Sequence, residues 1–367
     1  MKLLYVLPFG LGIRDLATTG QHKRLLEEYC VNYLREFDEV LILSSLDESL
    51  AEFRNVKVPA RVTLLPNHRG LHRYLYAMLA PWLHWARLKG VTAVRVSQTT
   101  GSLPAAFMRF ALKKPIVMTY GASGLHERIG RGAADYWIAS TDELASHIQH
   151  RHRVSRENIF LIPNGVNLAA FASQSRAEAD DEDLRSLIFV GRFESPENLF
   201  FLLDCVSATA DRLQTHLKLT LVGEGSQRAA LAARKISPLL KLELLAPLPP
   251  TQLAGLFDES QLFVTASLNE LQPKFLLQAM AAGLPALGRE AMGTTVLLKS
   301  AGQFVFNDVD SFVDNFRKLT HSEVRARAST AARTLVQRDF DLEKNLVLET
   351  ELLARLGRQP TSKPTFA

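Results

Sequence analysis

Cysteine is nearly missing: the 367 residues include only Cys30 and Cys205, far apart and in no spaced pair. That excludes a disulfide framework and a cysteine-built zinc site, and it fits a reducing compartment. Long apolar runs are missing too. The longest candidate, 74–83, falls well short of the ~18 residues a membrane-crossing helix needs, and it contains Pro81. His147, His150 and His152 surround Arg151 and Arg153 without a matching carboxylate or Cys. They read as a solvated basic helix end, and no metal is expected. A strong excess of either charge is also lacking, since 43 − 38 gives +5. With no reader motif, nucleic acid is not an expected partner. The mild basic bias points weakly to a phosphorylated ligand or a membrane surface. Met1 to Ile13 has one Lys and then apolar residues, as a leader does, but Arg14 and Asp15 follow without a small-x-small closure. A buried strand running into a glycine loop explains it better. The expectation is a soluble, cytoplasmic, uncleaved protein, with about two domains for this length.

What the sequence does have is alternation. Short apolar runs at 3–7, 40–43, 61–64, 93–96, 116–119, 136–139 and 159–162 read as strands. Most are continuous rather than alternating, as for strands covered on both faces. Helical patterns at 18–36, 101–112 and 141–150 separate them. After the acidic stretch 177–186 the plan restarts, with strands at 187–190, 217–222, 240–245, 262–266, 285–287 and 304–306. Helical patterns fall at about 198–213, 226–236, 250–258, 273–283 and 309–319, and the chain closes with helices at 322–337 and 340–356. Strand–helix–strand alternation argues for two parallel, doubly wound sheets. The expected domains are 1–170, joined by a crossover helix at about 340–358, and 171–338. In such sheets ligands bind at the carboxyl ends of strands, beside helix N-termini.

Three segments stand at such ends. In Val190-Gly-Arg-Phe-Glu-Ser-Pro-Glu-Asn198, Gly191 allows a tight turn and Arg192 arrives at the strand's edge. A guanidinium there can grip a diphosphate with a fork of donors. In Leu221-Val-Gly-Glu-Gly225, glycines around Glu224 let the backbone approach a ligand. The longest segment runs from Ala266 to Pro285. Glu270 sits in its loop, and Pro273 suits the first turn of a helix whose buried stripe is Leu276, Leu277, Met280 and Ala281. Lys274 lies in that first turn, a poor place for a cation unless an anion is there as well.

The order Gly-Arg, Val-Gly-Glu-Gly, Ser-x-x-Glu, then Gln-Ala-Met-Ala-Ala-Gly-Leu-Pro resembles the retaining glycosyltransferases of family 4, which have the GT-B fold. Ile162-Pro-Asn-Gly-Val-Asn167 is similar to that family's interdomain signature. The resemblance is strong over 160–320 and weak over 1–130. It implies two Rossmann-like domains facing across a cleft and a metal-independent transfer of sugar from a nucleotide donor to a hydroxyl acceptor. By position, Arg192 would hold the donor diphosphate and Glu270 would contact the transferring sugar. The backbone at Gln272, Pro273, Lys274 and Phe275 would meet the phosphates, and Gln278 the ribose. Gly191 and Glu224 would line the donor site, and the Gly10–Gly12 loop would approach the donor from the other domain. No cofactor is implied beyond the nucleotide-sugar substrate.

The pattern is broken in three places. The second acid of the family's Glu pair is Gln278, whose amide can still bond a hydroxyl although a charge-assisted bond worth about 1.5–3 kcal/mol is weakened. The Lys expected five or six residues after Arg192 is replaced by Glu197 and Asn198. A carboxylate beside a diphosphate would repel it unless it points away, and Lys274 is a candidate replacement cation. The family's His near 119–124 is absent, and His126 is close but not aligned.

Residues 68–89 carry apolar positions at 71, 74, 75, 78, 79, 82, 83 and 86, a helical stripe with Pro81 as its kink. The expectation is that this stripe packs inward while Trp85 and the flanking Arg and His face out. The outer face is then a candidate for contact with an anionic membrane, suiting a lipid-linked oligosaccharide or cell-surface polysaccharide precursor as acceptor. The rival reading is a catalytically degenerate relative that binds sugar nucleotides or acts as a scaffold. An epimerase or phosphorylase of the same fold lacks support, because no cofactor-anchoring Lys pattern is present.

Overall fold

The computed structural model describes residues 1–18, 20–121, 129, 132–171, 183–268, 273–291 and 293–359. The chain divides into two compact units. Unit 1 holds residues 1–163 and the C-terminal segment from Glu343; unit 2 runs from Asn164 to Leu342.

Unit 1 contains β1 (Lys2–Val6), β2 (Glu39–Leu43), β3 (Val62–Leu65), β4 (Val91–Val96), β5 (Ile116–Thr119), β6 (Tyr136–Ala139) and β7 (Ile159–Leu161). They form one sheet in the order β3-β2-β1-β4-β5-β6-β7, parallel throughout. Unit 2 contains β8 (Ser186–Val190), β9 (Leu217–Val222), β10 (Leu240–Leu245), β11 (Leu262–Thr265), β12 (Ala286–Arg289) and β13 (Phe304–Phe306). Their order is β10-β9-β8-β11-β12-β13, again parallel. Each expected strand is present to within about two residues. The two parallel sheets bear out the doubly wound α/β reading.

The continuous apolar runs have a direct cause in unit 2. Leu187 and Phe189 of β8 enter one core with Leu203 and Phe316. Ile188 and Val190 enter another, on the opposite face, with Leu277 and Val336. A strand buried on both sides has no position for a polar residue. Each such side chain contributes roughly 1.5–3 kcal/mol. Helix ends follow local chemistry. Asp308 caps Val309–Leu319 by accepting from Ser311 N at 2.8 Å. Thr141 caps Asp142–His152, accepting from Leu144 N at 3.2 Å, and Arg153 ends that helix in the left-handed region at φ 53°.

Four features differ from the sequence reading. The stretch expected as one helix over 18–36 starts at Ile13, breaks at Gly20 (φ 71°), and contains a six-residue π-helical segment, Arg24–Tyr29. A helix at Thr294–Ser300 was not anticipated. His152 is not solvated: it is 4% exposed and stacks on Trp137, with ring centroids 5.6 Å apart. The stripe over 68–89 is inverted. Helix Arg73–Leu83 buries Tyr76, Ala77, Ala80 and Pro81, and leaves Tyr74, Leu75, Leu79 and Trp82 exposed. The cause is close packing on Ser102–Leu112. Ala77 and Ala80 are buried on the one helix and Ala105 and Met108 on the other, and Tyr76 places its hydroxyl 3.0 Å from the carbonyls of Leu65 and Pro66. Pro81 lies inside this helix, which ends two residues later at Leu83, and the chain resumes as Trp85–Leu88.

Candidate functional site

In each sheet the strand order reverses once, between β1 and β4 in unit 1 and between β8 and β11 in unit 2. In doubly wound sheets such a reversal is where ligands bind, at the carboxyl ends of the two central strands.

The unit 2 reversal gathers most of the expected site. The loop after β8 carries Gly191, Arg192 and the turn Ser195–Glu197; the loop after β11 carries Ser267 and Leu268. Leu268 N donates to Pro196 O at 2.9 Å and Ser267 Oγ to the same carbonyl at 3.4 Å, so the two loops are tied. The main-chain bond fixes the turn on which Glu197 sits. Arg192 is exposed, with Nη2 3.7 Å from Glu197 Oε1. Glu197 points toward the guanidinium and keeps only 13% of its side chain exposed. Burial raises its carboxyl above the usual range, while Arg192 and a hydrogen bond with Ser267 pull it down by less.

The glycines here serve loop packing. A Cβ on Gly223 would lie 1.8 Å from Gly191 O, and one on Gly225 would lie 2.4 Å from Phe193 O. Phe193 N donates to Glu224 O at 2.8 Å, and Gln227 N to Phe193 O at 3.0 Å. The close backbone approach expected for a ligand is thus made by the neighbouring loop. The Glu224 side chain is exposed and pairs with Arg228 at 3.4 Å.

Helix Lys274–Ala281 begins beyond the β11 loop, with Pro273 as its N-cap rather than inside its first turn. Lys274 is exposed, and its ammonium lies 5.7 Å from the Phe275 ring centroid. Gln278 is 8% exposed, and its Oε1 is buried without a hydrogen-bond partner. An orphaned acceptor of this kind is costly, so it favours a ligand that brings a donor. Glu270 and Gln272 lie outside the described residues, as does His126.

At the unit 1 reversal the loop that holds Gly12 bonds to side chains of its own unit. Its N–H donates to Asp15 Oδ2 at 2.9 Å. The next two N–H groups, of Ile13 and Arg14, donate to the buried Glu48 carboxylate at 2.6 and 2.9 Å. This helix start already holds its anion, and a Cβ on Gly12 would meet Glu48, Leu46 and Ser44 at 2.7 Å. Gly10 (φ 77°) lies against the Tyr74 ring. Across the reversal, Ser97, Thr100 and Ser102 each hold a buried hydroxyl without a partner. Sequence reasoning missed these three, whereas Ser267 opens the Ser-x-x-Glu pattern. Their only sequence signal is a hydroxyl residue just past a strand end.

Comparison with known proteins gives this geometry a family. Residues 185–322 match the family described as glycosyl transferases group 1. They belong to it. That group 1 segment contains Arg192, Glu197, Ser267 and Gln278, whereas the unit 1 residues lie outside it. Among sequence relatives, an Escherichia coli UDP-Gal:alpha-D-GlcNAc-diphosphoundecaprenol alpha-1,3-galactosyltransferase is 27% identical over 51% of this chain and 52% of its own. A Mycolicibacterium smegmatis GDP-mannose-dependent alpha-mannosyltransferase is 28% identical over 63% and 58%. The chain spans about half the length of the first relatives it matches by sequence. Among solved structures, a Rickettsia africae glycosyltransferase superposes with a TM-score of 0.75 at 13% identity, covering 98% of this chain and 99% of that one. Anabaena HepE, solved with UDP and glucose, gives 0.70 at 14%, covering 96% and 99%. The fold is GT-B, that of the group 1 glycosyl transferases.

Proposed function

We propose that this protein is a retaining glycosyltransferase that moves a sugar from a nucleotide-sugar donor to a hydroxyl acceptor. The observation that carries the reading is the unit 2 strand reversal. It gathers an exposed Arg, a helix start and a buried amide oxygen without a partner. Arg192 and the N–H groups at the start of Lys274–Ala281 suit a diphosphate, and Gln278 suits a ribose hydroxyl. Lys274 supplies a second cation in place of the Lys that the chain lacks, and Glu270 orients the sugar.

In the proposed reaction the bond from the anomeric carbon to the diphosphate oxygen breaks, and its electron pair leaves with the diphosphate. The acceptor hydroxyl bonds to the same face of that carbon, and its proton passes to the departing phosphate oxygen. Arg192 and the helix start offset the charge that develops on the leaving group. No metal takes part in this reading.

The proposed acceptor is a lipid-linked oligosaccharide or a cell-surface polysaccharide precursor. No Asp or Glu occurs between Glu52 and Glu127, a stretch holding eleven Lys and Arg. Within it Tyr74, Leu75, Leu79, Trp82, Trp85 and Phe110 are exposed. Apolar and aromatic side chains in a basic surround suit an anionic bilayer. Among the described residues, no helix is long and apolar enough to cross a membrane. The proposed location is the cytoplasm, peripheral to the inner face of the plasma membrane.

Titration calorimetry with UDP, GDP, ADP and their sugar conjugates tests the donor site. The expected result is binding of one nucleotide that Arg192→Ala abolishes and EDTA leaves unchanged. NMR of the product's anomeric configuration tests retention. Binding without turnover, unrelieved by Gln278→Glu, would favour the scaffold reading instead.

A further inference from the structure

The Glu197 carboxylate stands where an anion grip would gain most from a cation. Three observations define its setting. It is largely enclosed, it faces Arg192 at 3.7 Å, and it is hydrogen-bonded with Ser267. Its turn, Ser195–Glu197, is pinned by the bond from Leu268 N to Pro196 O. Asn198 then enters helix Leu199–Leu213 in the left-handed region at φ 55°. The backbone beneath Glu197 is therefore fixed between two anchors. Arg192 is its opposite, a long side chain on a loop with three-quarters of its surface in solvent.

We propose that Glu197 is a built-in counter-ion for Arg192, one that a bound diphosphate must displace, so that this carboxylate sets the anion affinity of the site. The inference rests on the reading of Arg192 as the diphosphate grip. When a diphosphate arrives, the flexible guanidinium swings onto it while the pinned carboxylate stays behind. Glu197 then loses its cation and also faces a second anion. The site binds diphosphate weakly as a result, and releases a nucleoside diphosphate product readily.

The test is titration of the full-length protein with inorganic pyrophosphate, a probe without a base, followed by UDP, GDP and ADP. Glu197→Gln keeps shape and hydrogen bonding but removes the charge. It is expected to tighten pyrophosphate binding about tenfold, the effect of one partly screened charge. The gain should shrink in 0.5 M salt, and most of it should vanish in an Arg192→Ala background. Glu197→Ser serves as a second variant, with circular dichroism and melting to confirm folding. Binding to Glu197→Gln but not to wild type would support the proposal strongly. Unchanged or weaker binding to folded Glu197→Gln and Glu197→Ser, with Arg192→Ala still abolishing it, would overturn this inference alone. Wild-type affinity in Arg192→Ala, or no binding of any probe to any folded variant, would instead overturn the donor-site reading on which it rests.

Discussion

Truncating Glu349 should unsettle unit 1 more than any change to a surface charge. Glu349 lies on the closing helix Leu342–Arg358 and Arg95 on β4, and they are 4% and 3% exposed. Arg95 Nε lies 2.6 Å from Glu349 Oε1, and Nη2 lies 3.3 Å from Oε2. Tyr33 donates its hydroxyl to the same Oε1 at 2.5 Å. Glu349→Ala leaves the guanidinium buried with only Thr119 Oγ1 and Val96 O as partners. A buried charge stripped of its counter-ion costs about 3–5 kcal/mol. For a unit of this size, 1 kcal/mol moves the midpoint by about 2–4 °C, so the drop is about 6–20 °C. Differential scanning calorimetry at fixed pH measures it. Replacing both partners with apolar residues, Arg95→Met with Glu349→Leu, should recover most of the loss, because neither charge then needs solvating. A Glu349→Ala midpoint within about 2 °C of wild type, or a double variant as unstable as the single one, would refute this reasoning.

Gly223→Ala should cost about 2–4 kcal/mol in urea unfolding, since its Cβ would lie 1.8 Å from Gly191 O. It should also weaken nucleotide binding by spreading the β8 and β9 loops. Because burial raises the Glu197 carboxyl, the native state takes up its proton before the unfolded chain does as pH falls. The destabilisation from this group is complete above its raised pKa and disappears on acidification, so the stability advantage of Glu197→Gln at pH 7 should shrink by pH 4, as guanidinium midpoints at both pH values would show. Adding phosphatidylglycerol vesicles should blue-shift the tryptophan emission, because Trp82 and Trp85 are exposed while Trp137 is buried. Phosphatidylcholine vesicles should not, and the Trp82→Ala, Trp85→Ala double variant should lose most of the shift.

Strands and their parallel arrangement were the most legible part of the sequence. A run such as Leu187 to Val190, apolar at every position, has few other uses than a strand covered on both faces. Arg192 stood out as a candidate because it lies just past a strand, and Gln278 only because the family resemblance points to its place in the next helix. What was not legible has separate causes. Hydrophobicity alone sent Leu75 and Leu79 inward, whereas the buried positions are Tyr76, Ala77 and Ala80. The glycines around Glu224 also admit the Gly191–Phe193 backbone, which their sequence spacing does not show. The carboxylate that occupies the helix start after Gly12 comes from Glu48, 35 residues beyond Ile13, and no local pattern links them.

The division of the chain also sets an order of events during synthesis. Unit 1 begins first, but its core includes Leu352, Leu353 and Leu356 from the last helix, and Arg95 finds its counter-ion there. Unit 2 is one uninterrupted stretch that ends at Leu342. On the ribosome, the half that starts second has all its parts first, while the half that starts first waits for the final helix with a buried cation still unpaired. A nascent chain stopped before Leu342 would therefore carry an unfinished N-terminal half and an almost complete C-terminal one, so chaperones should bind the former.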